Sequence, residues 1–322
     1  MGVVYVLQHD VRLALEGGRL LVRRGREVVL EKPLLHVEGI VIFSNAQIST
    51  QLLKECAQAG IGVHFLSQNG AYLAHLGGPL TANAPVRVAQ FAVHLDPVGR
   101  LRLGRAFVAG KLKNQATMLR RREAPEAAAI SDLLATVELA DNLEELRAIE
   151  GQAAKLYFAA FSRALPAEFA FSERSRRPPR DPANSLLSLA YTFLTKEMIS
   201  ALQIAGLDAQ IGYLHATRHG RPALALDLIE EFRPLVADSV VLNLLNHGRI
   251  TLEHFQDPAA PQLVSEGWPK FLTAWEERIN EKARHPALGI SMSYREIFLA
   301  QARILGKVLL GELPEYLPFT VR

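Results

Sequence analysis

The period of the apolar residues changes once along this chain, and that change governs what it can fold into. Over residues 1–78 apolar side chains alternate or fall in short β-branched runs, as in strands. From residue 86 onward they recur every three to four positions, as in helices. Between the two lies Gly77-Gly78-Pro79-Leu80-Thr81-Ala82-Asn83-Ala84-Pro85, which fits neither period and is rich in breaker residues. The reading is an α+β, multidomain chain: a small β-rich N-terminal domain over 1–78, a linker over 79–85, and a larger, mainly α-helical domain over 86–322. A length of 322 residues suits about two domains.

Strands are expected over 3–7, 12–15, 19–22, 27–30, 39–43, 62–66 and 71–76. Gly17-Gly18 supplies a hairpin turn and Gln68-Asn69-Gly70 a second turn. The run 39–43 is continuously apolar, which predicts a strand buried on both faces. One helix, 49–60, interrupts the strands and stops at Gly60. Beyond the linker, helices are expected over 86–91, 99–122, 127–136, 142–165, 182–205, 222–236, 240–244, 267–282 and 293–310, and the second domain reads as nearly all-α. No repeat of fixed period appears.

Cysteine count excludes two classes. A lone Cys56 cannot form an intramolecular disulfide or a paired-cysteine zinc site, and it suits a reducing, cytoplasmic setting. No uncharged apolar run reaches the ~18–20 residues of a membrane span, and the first residues lack the pattern of a signal peptide. The net charge of +3 is a near-cancellation. Residues 87–122 carry nine basic side chains against one acid, whereas 123–170 carry nine acids against three bases. The basic stretch, with Arg120, Arg121 and Arg122 at its end, is the expected phosphate track.

Three groups of residues could carry chemistry. In the helix over 142–165, Glu150 shares a face with Leu146, Ile149, Ala153 and Tyr157, and a carboxylate there needs a metal ion or a basic side chain beside it. Gly151 lowers helix propensity, which predicts close approach of something to the backbone. The second group is Gly212-Tyr213-Leu214-His215 through Arg218-His219-Gly220-Arg221-Pro222, leading into a helix with Asp227, Glu230 and Glu231. Both glutamates can share a side with Asp227, so spacing does not choose between them. His215 and His219 are four apart, but Gly220 and Pro222 mark a loop. The third group is Arg174, Arg176, Arg177 and Arg180, four arginines in a proline-containing loop suited to phosphate contact. Asp181 follows as an N-cap with Pro182 at the first helical position.

Taken in order, these segments resemble the CRISPR-associated integrase and endonuclease family, the nuclease of CRISPR spacer acquisition. The resemblance rests on Val37-Glu38-Gly39-Ile40-Val41-Ile42-Phe43 with Ala46-Gln47-Ile48-Ser49-Thr50, on Gly110-Lys111-Leu112-Lys113-Asn114-Gln115, and on Ile149-Glu150-Gly151. It continues through Asp181-Pro182-Ala183-Asn184-Ser185, Gly212-Tyr213-Leu214-His215, Leu226-Asp227-Leu228-Ile229-Glu230-Glu231-Phe232-Arg233-Pro234 and Tyr316-Leu317-Pro318-Phe319. One departure is Ser44-Asn45, where many relatives carry a glycine.

The resemblance implies a β-sandwich-like N-terminal domain that makes a homodimer, and a helical catalytic domain. It implies a divalent-metal site whose ligands are Glu150, His215 and Glu230, the third three residues after Asp227, with Asp227 a neighbouring catalytic acid. Two carboxylates and an imidazole suit Mn²⁺ or Mg²⁺. It also implies double-stranded and branched DNA as substrate, and the local charge points to Arg120, Arg121, Arg122, Arg174, Arg176, Arg177, Arg180, Arg218 and Arg221 as the residues to hold it. A small ferredoxin-like companion protein bridging two dimers is implied as well. The implied reaction is insertion of spacer DNA into the repeat array by 3′-hydroxyl attack on a phosphodiester. The competing expectation is a DNA-binding scaffold without catalysis.

Overall fold

A computed structural model of the chain describes residues 2–76, 83–175, 178–257 and 261–321. The chain divides into two compact units, Met1–Ala82 and Asn83–Arg322. Strands lie mostly in the first and helices mostly in the second, the mixed α and β content expected. Of the expected linker, 79–82 fall outside the described residues, and Ala84 and Pro85 already belong to a helix.

The first unit holds two four-stranded sheets. In one, β5 (Val37–Ile42) is central, parallel to both β1 (Gly2–Val6) and β7 (Gly62–Leu66), and β8 (Tyr72–Leu76) closes the edge antiparallel to β7. Its central place explains the apolar run: Ile40, Val41 and Ile42 are all buried. In the other sheet β3 (Arg19–Arg24) lies between β4 (Glu27–Pro33) and β2 (Val11–Glu16). Glu16 pairs with Arg19 across Gly17 and Gly18, whose φ angles are 55° and 75°. Two consecutive positive φ values make the turn that matches strand twist, and glycine adopts them without steric cost. The sequence reading missed β6 (Ala46–Ile48), a three-residue strand parallel to β2 and too short to show a period. Both sheets and α1 (Thr50–Gln58) share one core that includes Val6, Leu13, Leu20, Ile40, Leu52 and Cys56. Ser49 caps α1, its side chain accepting from the Leu52 N–H at 3.3 Å.

The second unit contains α2 (Ala84–Leu95), α3 (Pro97–Arg120), α4 (Glu126–Val137), α5 (Leu143–Arg163), α6 (Pro182–Ile204), α7 (Ala223–Ile229), α8 (Ser239–Asn246), α9 (Gly267–Asn280) and α10 (Tyr294–Leu309). It is not all-α: β9 (Lys282–Arg284) and β10 (Ser291–Ser293) form a short antiparallel hairpin, and Lys282 belongs to it rather than to α9. Helix α6 is buried on most sides, with Phe193 meeting Phe271 and Trp275 edge-on at 5.1 and 5.5 Å. Among the described residues no helix is long and apolar enough to cross a membrane.

The expected helix over 222–236 is broken. Helix α7 ends at Ile229, and Arg233–Asp238 is π-helical before α8 begins. Pro222 is the residue just before α7, and Pro234 sits inside the π-helical stretch. Proline removes the N–H that would bond the Glu230 carbonyl, and its ring clashes with that carbonyl, so the α register cannot pass through.

Candidate metal centre

Four segments of the second unit converge on one buried site. Helix α3 brings Lys111, α5 brings Glu150, the loop after α6 brings His215, and α7 with the turn beyond it brings Asp227, Glu230 and Arg233. Two of these helices begin at firm caps. Asp96 accepts from the Val98 and Gly99 N–H groups at the start of α3, and Asn142 from those of Glu144 and Glu145 at the start of α5.

The His215 loop has no regular secondary structure, yet its backbone is held at several points. Three successive N–H groups, of Tyr213, Leu214 and His215, donate to the Asp227 carboxylate at 2.6, 3.1 and 2.8 Å. Three successive carbonyls, of Gly212, Tyr213 and Leu214, accept from His94, Arg100 and Arg147 at 2.6, 3.4 and 2.6 Å. Buried backbone polar groups must find partners, and here other helices supply them. Gly212 is required by close approach: a Cβ there would lie 2.7 Å from both the Ala223 carbonyl carbon and Asp227 Oδ2. Arg147 stands one turn before Glu150, so one face of α5 delivers both the clamp on the loop and a carboxylate to the site.

Asp227 also accepts from His215 Nδ1 at 2.7 Å. A carboxylate only accepts, so Nδ1 carries the proton and Nε2 presents its lone pair on the other side of the ring. That nitrogen faces Glu230 Oε1 at 3.7 Å. With both oxygens of Asp227 taken by four donors, the structure places it behind His215 as its support.

Glu230 is fully buried, and Arg233 Nη1 lies 3.0 Å from Oε1 while Lys111 Nζ lies 2.6 Å from Oε2. Neither oxygen accepts a well-aligned hydrogen bond. Burial alone would raise this carboxyl; Arg233 and Lys111 outweigh it and hold it well below the ordinary carboxylate range. Lys111 Nζ also meets Glu150 Oε1 at 2.5 Å, so one ammonium bridges the two acids. Burial disfavours that ammonium, but the two carboxylates overcome the penalty and raise its pKa. Glu150 thus has the basic partner that its inward position requires.

The adjacent Glu231 points the other way. It accepts from Tyr316 Oη at 2.7 Å and from the Phe319 N–H at 2.6 Å, and Asn114 ties the same C-terminal segment to α3. Its burial pushes its carboxyl up to about 8 despite those donors. Beyond Arg233, Asp238 accepts from the hydroxyls of Tyr157 and Tyr191 at 2.9 and 2.7 Å, and burial pushes it up to about 6. Arg233 lies over the Tyr191 ring at 4.7 Å, which links that cluster to Glu230.

The other expected site residues spread more widely. Arg120, Arg121 and Arg122 are exposed at the C-terminal end of α3, about 13 Å along the helix from Lys111. Arg218 is exposed three residues beyond His215, Arg221 is half-buried, and His219 is in an exposed turn, apart from any helix pair. Arg180 is exposed. Arg174 is engaged inside the fold, donating to Asn184 Oδ1 at 2.7 Å and Ser188 Oγ at 3.0 Å. Arg176 and Arg177 lie outside the described residues. Among the described residues none makes the close approach expected at Gly151: a Cβ there would meet nothing within 4 Å. Lys111, Arg233, and the clamping roles of Arg147 and Asp227 were missed from sequence. One signal was available for Lys111, a charged residue inside a stretch of α3 that is otherwise apolar and buried.

Among the described residues no three His, Cys, Asp or Glu side chains are already grouped closely enough to hold a metal ion, and the Lys111 ammonium stands between the two glutamates. The donor set nevertheless fits a hard divalent cation. Glu230 carries two buried oxygens without aligned donors, and His215 presents a fixed lone pair toward one of them.

Comparison with known proteins gives a family match over residues 4–277 to the model described as CRISPR associated protein Cas1. The CRISPR-associated endonuclease Cas1 3 of Thermus thermophilus is 58% identical over 325 residues, spanning 100% of this chain and 98% of that one. The CRISPR-associated endonuclease Cas1 1 of Chlorobaculum tepidum is 34% identical, spanning 100% and 99%. Among solved structures, a Cas1 protein from Thermotoga maritima superposes with a TM-score of 0.85 at 25% identity, covering 99% of each chain.

Proposed function

The chain belongs to the Cas1 family of CRISPR-associated proteins, and on that premise we propose that it is a divalent-metal-dependent DNA endonuclease and integrase that inserts spacer DNA into a repeat array. The observation that carries this reading is Glu230, a fully buried carboxylate held by two side-chain cations and facing Nε2 of His215. Glu150, His215 and Glu230 would hold Mn²⁺ or Mg²⁺. When bound, such an ion supplies polarisation of a phosphodiester and of the oxygen that attacks it.

The chain's own residues do the rest. Asp227 keeps His215 in one tautomer and one orientation. Arg233 keeps Glu230 ionised at neutral pH and is held in place by Tyr191. Arg218 and Arg120 to Arg122 are exposed and would meet phosphates of double-stranded or branched DNA. In cleavage the attacking oxygen belongs to water; in integration it is a DNA 3′-hydroxyl. Each forms one phosphorus–oxygen bond and breaks another, so one set of residues serves both. A homodimer and a small ferredoxin-like companion protein complete the proposed assembly.

Strand transfer on branched DNA in Mn²⁺ tests the reading. Glu150→Ala and His215→Ala should each abolish product while circular dichroism stays unchanged; full activity in both would sink it. A second reading, a DNA-binding scaffold without catalysis, is favoured by the Lys111 ammonium lying between the two acids. It predicts salt-sensitive binding and no product at any Mn²⁺ concentration.

A further inference from the structure

We propose that Lys111 is a resident counter-ion of this site, one that holds Glu150 and Glu230 together in the metal-free protein and must give them up when a divalent ion binds. The inference rests on the metal reading above and concerns a residue outside the ligand set.

Three observations carry it. The ammonium sits between the two acids, 2.5 Å from Glu150 Oε1 and 2.6 Å from Glu230 Oε2. Its side chain is only 6% exposed, so water cannot replace these partners. The cations are also crowded: Lys111 and Arg233 both lie against Glu230, and Lys111 occupies the side of each glutamate that faces the other. A dication entering between the two acids meets the Lys111 ammonium at the same oxygens and is repelled unless that ammonium leaves.

Lys111 is the cation able to leave. Its charge is a compact point on a flexible stem, whereas Arg233 carries a planar fork lying over the Tyr191 ring. The short bridge to Glu150 also sits at the more open edge, where that side chain is 18% exposed, against 0% for Glu230. Lys111 thereby keeps two like charges preassembled, and a divalent ion enters by exchange for it rather than by drawing the acids together. A buried ammonium freed in this way needs another anion, and a DNA phosphate at the loaded site is of the right chemistry.

The test is Mn²⁺ binding to the full-length chain, read by the electron paramagnetic resonance of the free ion. Lys111→Met should bind Mn²⁺ more tightly than the parent, on the order of tenfold. In EDTA it should melt lower, with the gap closing as Mn²⁺ is added. Equal or weaker Mn²⁺ affinity in Lys111→Met would overturn the proposal. Should that variant need Mn²⁺ to fold, the parent itself answers by amine-reactive labelling read by mass spectrometry. Modification of Lys111 should rise at saturating Mn²⁺, and labelling that stays constant while the ion is bound would count equally against it. Glu230→Gln separates the two readings. If the parent binds no more Mn²⁺ than Glu230→Gln, the metal reading itself falls. If the parent binds and Lys111→Met matches it, only the role of Lys111 falls.

Discussion

Glu230 and Glu231 are consecutive and both buried, yet they are held by opposite means. Glu231 is surrounded by donors fixed in the fold: a tyrosine hydroxyl, a backbone N–H and the amide of Gln301. Glu230 has cations and a histidine nitrogen around it and no aligned hydrogen bond. Asp227 and Asp238 belong with Glu231, since their oxygens accept from fixed N–H or O–H groups. Glu150 belongs with Glu230. The contrast separates acids that build the structure from acids that can exchange partners. A carboxylate bonded to fixed donors loses them at a cost if it turns to a ligand; one held by charges can trade one cation for another.

The largest effect that could break this contrast comes from neutralising the two neighbours in turn. Glu230→Gln should lower Mn²⁺-dependent strand transfer on the order of 10³-fold in a chain that still folds, with a lowered melting temperature because buried Lys111 and Arg233 lose a charge partner. Glu231→Ala should spare strand transfer. It leaves Phe319 N–H and Tyr316 Oη without their acceptor, at about 1–3 kcal/mol, and activity survives below the lowered melting temperature. If both variants lose activity while both stay folded, the distinction fails.

Next in size is the glycine that admits Asp227. Gly212→Ala forces a Cβ to 2.7 Å from Asp227 Oδ2 and should cost about 1–3 kcal/mol by denaturant titration. A pH series then probes Asp238. Its folded pKa of about 6 lies above its ordinary 3.8, so the folded state binds the proton more tightly. This group's contribution is complete below pH 4, declines by up to about 1.4 kcal/mol per pH unit as pH rises toward 6, and is flat above. Asp238→Asn should lack that decline; parallel melting curves for the two proteins from pH 4 to 6 would remove Asp238 as its source. The smallest effect belongs beside the exchangeable acids. Gly151→Ala has open space for its methyl and should gain about 0.5–1 kcal/mol of stability.

Much of the fold was legible because it is local. The change of period, the Gly17-Gly18 turn and the cap at Asp181 each depend on residues a few positions apart. Strands β6, β9 and β10 escaped because three residues show no period. The break in the helix over 222–236 escaped because apolar residues keep recurring at Phe232, Leu235 and Val236, across the change of helical register at Pro234. At the site, the inward position of Glu150 and its need for a cation were readable from the face it shares. Which cation meets it was not, since Lys111 is 39 residues away. The clamp on the His215 loop spans still larger separations, 118 residues from His94 and 113 from Arg100. Such pairings follow from how helices dock and leave no trace in local spacing.

The amides of Tyr213, Leu214 and His215 all end on one carboxylate. Loop amides ordinarily trade their hydrogens with solvent quickly, but these three are slowed by their bonds to Asp227. Deuterium uptake at three consecutive residues thus becomes a clock built into the chain, timing how often the support behind His215 opens.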